Sequence, residues 1–162
     1  MRAATPEDKE IFLAMLCEFA IYERLAPPDE AAQQRLIADG FGPQRRFETL
    51  IAEVEGKVAG YAIVYEIYSS FLARPKLYIE DLFVCPQFRG HGAGKALFAA
   101  CAREAAQRGF DRLQWYVEGW NESALAFYEQ MGASRLNWQT WQLSISAEND
   151  HSGLAIGRAE KK

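Results

Sequence analysis

A glycine-rich segment, RGHGAGK at residues 89–95, contains residue types that can bind an anion through the main chain. It lies between a predicted strand and a predicted helix, so its glycines can turn backbone N–H groups toward a pyrophosphate at the positive end of the helix. A P-loop would need Gly at Arg89 and Ser or Thr at Ala96, and a dinucleotide loop would need Gly at Lys95. The segment therefore fits neither ATP nor NAD, and taken alone it is equally consistent with a tight turn.

Helices and strands on both sides must position this segment, and the hydrophobic pattern predicts where they lie. β-Branched and aromatic residues around Glu55-Gly56-Lys57 indicate an antiparallel hairpin, while Gly109 and Asn121 mark a helix end and a helix start. In chain order we predict helices at 6–20 and 29–38, strands at 50–54, 58–68 and 77–84, a helix at 95–108, a strand at 113–117, a helix at 121–131 and a last strand at 138–145.

The 162 residues, 49% of them hydrophobic and 25% charged, predict one globular domain. We assign it to residues 1–146. Residues 147–162 lack a sustained period, so we expect a C-terminal tail that is a surface extension or a disordered terminus. No apolar run reaches the ~20 residues of a membrane span, and the N-terminus lacks a signal-peptide pattern. We therefore expect a cytoplasmic protein without a membrane partner.

Charge and metal-binding residue types narrow the possible ligands. The net charge of -4 and the pI of 5.3 provide no general attraction to nucleic acid, whereas they suit a cationic substrate. Cys17, Cys85 and Cys101 form no CxxC pair and leave an odd thiol, which is typical of a reducing compartment. His91 and His151 have no second ligand at metal-binding spacing, so we expect no metal.

Three segments follow one another: YIEDLFV at 78–84, RGHGAG at 89–94, which matches Q/R-x-x-G-x-G/A, and WNESALAFYEQMGA at 120–133. In order and spacing they resemble the GNAT superfamily of N-acetyltransferases, and within it the spermidine/spermine (diamine) acetyltransferase branch. IYERL at 21–25 and ADGFG at 38–42 are similar to the same branch, and the similarity spans about residues 5–145. The resemblance implies an α/β (α+β) GNAT fold, with a splayed mixed central sheet and helices on both faces.

The resemblance also implies acetyl-CoA as co-substrate. Its pantetheine arm would enter the gap in the sheet and pair with the backbone of residues 82–84, whose N–H groups could hold a developing oxyanion, typically worth a few kcal/mol per donor. Asn121 also suits a helix N-cap, and His91 is interpreted as an exposed loop position. The residues implied to bind the co-substrate are Leu82, Phe83, Val84, Arg89, Gly90, His91, Gly92, Ala93, Gly94, Lys95, Asn121, Ser123 and Ala124.

By the same resemblance, Glu80 is the base, acting directly or through water, and Tyr128 is the acid. A carboxylate suits the deprotonation of an alkylamine with a pKa of ~10, and a phenol with a pKa of ~10 can protonate a thiolate with a pKa of ~8.5. Asp81 is the weaker candidate, because a regular strand points it to the face opposite Glu80 unless a bulge interrupts the alternation.

The acceptor is the least specific part of the resemblance. Where the polyamine enzymes carry acids near the distal amine, this chain has Ser70 and Gln139-Thr140, which disfavours long polyamines. A diamine, or a lysine-like amino acid such as thialysine, therefore competes with a polyamine as the acceptor. The opening Met1-Arg2-Ala3 also implies a shortened first strand. The residues implied to contact the substrate are Tyr22, Glu23, Glu80, Gln114, Trp115, Tyr116 and Trp141.

We therefore expect an N-acetyltransferase that moves acetyl from acetyl-CoA to a primary amine of a small cationic molecule by direct attack in a ternary complex. No histidine motif supports an activated thiol at Cys85, so we expect that cysteine to be buried and inert. The alternatives are a protein or peptide N-acetyltransferase and a non-catalytic acyl-CoA-binding protein. The resemblance alone implies a homodimer.

Overall fold

A mixed sheet of five strands forms the centre of the fold, and the computed structural model describes the chain over residues 1–143. The strands lie side by side in sequence order; the first four pair antiparallel, and the fifth runs parallel to the fourth. Glu55 and Gly56 join the second and third strands with positive φ at both residues, which matches the predicted hairpin. The bounds are Arg2–Ala3 (β1), Glu48–Val54 (β2), Lys57–Ser69 (β3), Arg74–Val84 (β4) and Leu113–Gln114 (β5).

Four α-helices occur in the described part of the chain, and local caps fix two of their starts. The Asp29 carboxylate accepts a hydrogen bond from the Ala32 N–H at 2.7 Å, and the Asn121 side chain accepts one from the Ala124 N–H at 3.1 Å. These caps explain why the starts predicted from the sequence for these two helices lie within one residue of those in the structure. The bounds are Lys9–Tyr22 (α1), Glu30–Phe41 (α2), Ala93–Gln107 (α3) and Glu122–Gln130 (α4).

Helices cover both faces of the sheet. On one face, α1 and α2 bury Phe12 and Phe41 against the fully buried Tyr61 of β3. On the other face, α3 buries Leu97 and Cys101 against sheet residues that include Ile79, and α4 packs beside it. Burial of these apolar side chains is the main stabilising contribution to such a layered fold. The predicted fold class, a mixed sheet between helical layers, is confirmed.

The sheet splays between β4 and β5. These strands pair only at Leu77 with Leu113 and at Tyr78 with Gln114, whereas β4 continues to Val84. Within residues 1–143, the edge of β4 from Ile79 to Val84 has no strand partner on the β5 side. This fork leaves backbone donors and acceptors free for a ligand, since an unpaired strand edge presents a row of both. The predicted strand at 113–117 is correspondingly shorter than expected.

A β-bulge interrupts β4 at Glu80. Val64 of β3 pairs with Ile79, and its neighbour Ile63 pairs with Asp81, so Glu80 is the extra residue on β4. A bulge breaks the strict alternation of side chains between the faces. Ile79 and Leu82 therefore both pack toward α3, and the two residues between them lie toward α1. The expectation that Asp81 faces away from Glu80 is wrong for this reason.

The two ends of the chain differ in how they match the prediction. β1 has only two residues, as expected, and Arg2 supports it with a 2.6 Å ion pair to Asp8. The predicted last strand is wrong over its described part, because residues 138–143 form no strand and Trp141 is 87% exposed. A segment with a strand-like sequence forms a strand only where a neighbouring strand pairs with its backbone N–H and C=O groups. Residues 144–145 and the predicted tail lie outside the described residues.

Candidate active site

The glycine loop ends in the N-terminus of α3. Gly90 and Gly92 have φ values of 78° and 81°, and Gly92 is the N-cap of the helix. The first backbone bond of the helix runs from the Ala96 N–H to the Gly92 carbonyl at 3.0 Å. Among the residues that the structure describes, the N–H groups of residues 90–95 have no protein acceptor. Such a set of donors at the positive end of a helix fits a phosphate.

Arg89 holds the end of β4 in place. Its Nε donates to the Val84 carbonyl at 3.0 Å, and its guanidinium lies 4.8 Å from the Tyr22 ring centroid. This cation–π contact joins the end of α1 to the start of the loop. His91 and Lys95 are exposed, and His91 Nδ1 lies 2.9 Å from the Arg89 carbonyl. The expected exposed position of His91 is confirmed.

A cavity of about 690 Å³ opens at the fork between β4 and β5, and we call it the fork cavity. It joins the free edge of β4 to the end of α1 and the start of α4. Gly94 lies against its wall, because a Cβ there would be 3.8 Å from Val84 and from Phe127. The predicted site residues that line it are Tyr22, Glu23, Glu80, Leu82, Phe83, Val84, Arg89, Trp115, Tyr116, Asn121, Ser123, Ala124 and Tyr128.

Tyr128 reaches the fork cavity from α4, with its ring held between aromatic neighbours. The centroid of its ring lies 4.8 Å from that of Trp115 and 5.7 Å from that of Phe98. Burial, together with the nearby Cys101 thiol, raises the pKa of Tyr128 to about 12. The phenol therefore stays protonated at neutral pH, as a general acid must before it acts.

Asn121 connects α4 to α1. It is buried, and besides capping α4 its Oδ1 accepts hydrogen bonds from the Tyr22 hydroxyl at 3.2 Å and from Ser123 Oγ at 3.0 Å. The Tyr22 ring also lies 6.0 Å from the Trp120 ring. The predicted helix-cap role of Asn121 is confirmed, and its amide fixes Tyr22 at the cavity wall.

A second cavity of about 610 Å³ lies between α1, α2 and the β3–β4 hairpin, and we call it the α1–α2 cavity. Glu23 and Glu80 line both cavities, so these two carboxylates stand where the cavities meet. Glu80 is exposed and accepts a 2.8 Å hydrogen bond from the Tyr65 hydroxyl. A cationic group that enters from either cavity therefore meets negative charge at this junction.

Asp81 shares the wall of the α1–α2 cavity with Glu80 because of the bulge. The Tyr61 hydroxyl donates to Asp81 Oδ2 at 3.1 Å. Burial raises the pKa of Asp81 to about 6; the Tyr61 bond opposes this shift, and the charges of Glu80 and Glu23 add to it. A carboxyl with this pKa exchanges its proton near neutral pH.

Glu23 and Glu118 form an acidic wall in the fork cavity. Burial raises the pKa of Glu23, and the charge of Glu118 raises it further. Sequence reasoning weighed Asp81 only as the weaker candidate for the base, and it did not select Glu118 or Tyr65. The position of Glu118 depends on how the chain leaves β5, which no local pattern indicates.

The structure does not bring all predicted substrate residues to a cavity. Gln114 accepts a 2.5 Å hydrogen bond from Lys76 and lines neither cavity. Trp141 points into solvent and also lines neither. Tyr116 lines the mouth of the fork cavity and remains 68% exposed. Of the predicted substrate residues from 114 onward, only Trp115 and Tyr116 therefore line the fork cavity.

Cys85 follows β4, and its thiol is buried. Burial raises the pKa of this thiol, and the nearby Glu18 carboxylate raises it further. The expected burial is confirmed. Within residues 1–143, no group of three or more His, Cys, Asp or Glu side chains is arranged to hold a metal ion.

Over the same range, no helix combines the length and the apolar character needed to cross a membrane.

The chain matches the model of a known protein family. Residues 12–133 match the model of the Acetyltransferase (GNAT) family. The chain belongs to this family. It is 32% identical over 166 residues to thialysine N-epsilon-acetyltransferase of Mus musculus, covering 98% of the chain and 97% of that protein. It is 29% identical over 151 residues to spermidine/spermine N(1)-acetyltransferase-like protein 1 of Homo sapiens, covering 88% of the chain and 22% of that protein.

The GNAT fold is also found in solved structures. Ribosomal-protein-alanine N-acetyltransferase from Brucella melitensis aligns with a TM-score of 0.71 and 24% sequence identity, covering 88% of the chain and 97% of that structure. The predicted family, its resemblance to the diamine branch and the enzyme class, an N-acetyltransferase, are confirmed. Acetyl-CoA is the co-substrate that GNAT enzymes use in general.

Proposed function

We propose that this GNAT enzyme transfers acetyl from acetyl-CoA to a primary amine of a small cationic molecule. One observation carries the proposal. Glu80 lies where the acidic α1–α2 cavity meets the fork cavity, and the fork cavity is bordered by the free edge of β4. A cation and an acyl donor can therefore meet beside one carboxylate.

The residues of the loop and of β4 fit acetyl-CoA. The N–H groups of residues 90–95 offer donors to a diphosphate, and the edge of β4 from Ile79 to Val84, apart from the Val84 carbonyl that accepts from Arg89, offers donors and acceptors to an amide-containing arm. When bound, acetyl-CoA supplies a thioester that an amine can attack. The backbone N–H groups of Leu82 and Val84, which point away from β3, can donate to the thioester oxygen, and this is the main electrostatic contribution expected of such a site.

Glu80 and Tyr128 each carry out one of the two proton transfers. Glu80 removes the proton of the alkylammonium, directly or through water, and its negative charge attracts the cation. Tyr128 stays protonated and lines the same cavity, so it can donate to the departing sulfur. We propose direct attack rather than an acyl-cysteine route, because burial raises the pKa of the Cys85 thiol and disfavours its thiolate.

We propose an acceptor of the size of a diamine or a lysine-like amino acid. The relative from Mus musculus is named for thialysine, and the one from Homo sapiens for spermidine and spermine. Ser70 and Gln139-Thr140 supply no acid for the distal amine of a long polyamine. We further propose a homodimer, a domain over residues 1–146 and a cytoplasmic location.

Thiol release from acetyl-CoA tests the function. The purified chain is assayed with diamines, polyamines, lysine, thialysine and a lysine-containing peptide, and mass spectrometry identifies each product. Release with small amines and little with the peptide supports the proposal. Preference for the peptide favours a protein acetyltransferase. Binding of coenzyme A by calorimetry without release with any amine would favour an acyl-CoA-binding protein.

A further inference from the structure

The α1–α2 cavity has a charge distribution that a diamine does not match. Its acids are Glu23, Glu80 and Asp81, and among the described residues that line it Arg46 is the only cation. The rest of the wall is apolar except for the Tyr65 hydroxyl. An apolar cavity with acids and a cation on its wall suits a molecule that carries both an ammonium group and an anionic group.

Arg46 lies in the loop between α2 and β2, and this loop is held on both sides. The Arg46 N–H donates to the Asp39 carbonyl at 2.8 Å, and the next residue, Phe47, packs on Gly40 so closely that a Cβ there would lie 2.5 Å from its ring. Arg46 Nε lies 3.4 Å from Asp39 Oδ1. Its two terminal nitrogens therefore stay available, and these bind a carboxylate bidentately.

The sheet topology places Arg46 and Glu80 on opposite sides of β3. Arg46 comes two residues before Glu48, which pairs with Val64, and Val64 pairs with Ile79 immediately before Glu80. Arg46 therefore precedes β2, Glu80 lies on β4, and β3 runs between these two strands, so the two side chains border the α1–α2 cavity from different sides.

We propose that Arg46 binds the carboxylate of the acceptor, so that this enzyme prefers an amino acid with a terminal amine over the diamine of the same length. The inference rests on the proposed function and deepens it. The terminal amine lies at Glu80, the methylene chain follows the apolar wall, and the carboxylate lies at the mouth, where Arg46 is 80% exposed. A diamine lacks this carboxylate, so nothing offsets the repulsion between its second ammonium group and the Arg46 guanidinium.

The experiment compares matched acceptors. Lysine is paired with cadaverine, and ornithine with putrescine, because each diamine lacks only the carboxylate. The ratio of kcat/KM for lysine to that for cadaverine is measured for the wild type, Arg46→Gln and Arg46→Glu. Arg45→Gln is the control, because this adjacent, exposed arginine lines neither cavity. Mass spectrometry confirms that the terminal amine is acetylated.

We expect Arg46→Gln to lower the ratio about three- to tenfold, since an exposed ion pair with two hydrogen bonds is worth about that much. Arg46→Glu should lower it further by favouring cadaverine, and Arg45→Gln should leave it unchanged. If both acceptors are acetylated and Arg46→Gln leaves the lysine-to-cadaverine ratio unaltered, the inference is overturned. The proposed function then still stands. If no amine is acetylated, the proposed function fails, and lysine affinity in calorimetry with and without Arg46→Gln decides the inference.

Discussion

The Tyr61 hydroxyl donates a hydrogen bond to Asp81 Oδ2 across 3.1 Å, inside the wall of the α1–α2 cavity. Tyr61 is fully buried, so one partner of Asp81 is a fixed dipole rather than solvent. The carboxyl is held in place, but its charge is poorly solvated. Asp81 is consequently a group whose ionisation opposes folding.

We predict that Asp81→Asn stabilises the chain at pH 8 and not at pH 4. Burial raises the pKa of Asp81 from 3.8 to about 6, so the folded chain holds this proton more tightly than the unfolded chain. The contribution of Asp81 to stability is therefore complete below pH 3.8 and is lost as the pH rises through 6. An asparagine keeps an oxygen for Tyr61 without the charge. We expect a gain of about 1–3 kcal/mol at pH 8 in urea unfolding.

Asp111→Asn is the control for this experiment. Asp111 forms an exposed 3.1 Å ion pair with Arg74, and such a pair contributes at most about 1 kcal/mol. Its replacement should therefore change stability little at either pH. An Asp81→Asn gain at pH 4 as large as the gain at pH 8 would contradict the ionisation argument.

We predict that Glu80→Gln lowers kcat/KM at pH 7 by about 100-fold, within the range of general-base effects. The loss should shrink toward pH 10, because a growing fraction of the amine is then deprotonated in solution. Steady-state rates with one amine over pH 6–10 measure the effect. Glu66→Gln on β3 is the control, since this exposed glutamate lines neither cavity. A pH profile identical to that of the wild type would remove Glu80 from the base role.

Local signals let the sequence predict the loop and the two helices that flank it. Gly92 fixes the start of α3 through its backbone angle, and Asn121 fixes the start of α4 through its side chain. Such features depend on few neighbouring residues. The family resemblance then predicts which of these elements meet at the fork. Which side chains of β4 face the site, by contrast, depends on how β3 pairs with β4.

The parts that sequence reasoning missed depend on contacts between distant segments. The bulge at Glu80 results from the register of two strands, so the shared face of Asp81 is not visible in the local pattern. The failure at Trp141 has a similar origin, because the strand predicted there finds no partner within the described residues. Glu118 lies in the segment that follows β5, and its place in the fork cavity depends on the path of that segment.

We predict that Tyr128→Phe lowers kcat by about 10- to 1000-fold and leaves coenzyme A affinity within about twofold of the wild type. The packing of the ring against Trp115 and Phe98 is retained, so the fold should persist. Because burial raises the pKa of Tyr128 to about 12, the loss should be the same at pH 7 and pH 9. Tyr68→Phe, at an exposed residue of β3, is the control. Unchanged turnover in Tyr128→Phe would exclude the phenol as the acid.

We predict that Gly92→Ala weakens coenzyme A binding by at least tenfold, whereas Gly56→Ala does not. Both glycines have left-handed φ, 81° and 74°, and an added Cβ would meet no atom within 4 Å at either position. Each substitution should therefore lower stability by a similar amount, about 1–2 kcal/mol.

Only Gly92 precedes the free N–H groups of α3, so only there does the strained backbone misalign the donors for a diphosphate. Isothermal titration measures the affinities, and thermal unfolding measures the common loss of stability. Equal coenzyme A affinity in the two variants would show that the loop is a turn without a binding role, because the backbone strain is matched between them.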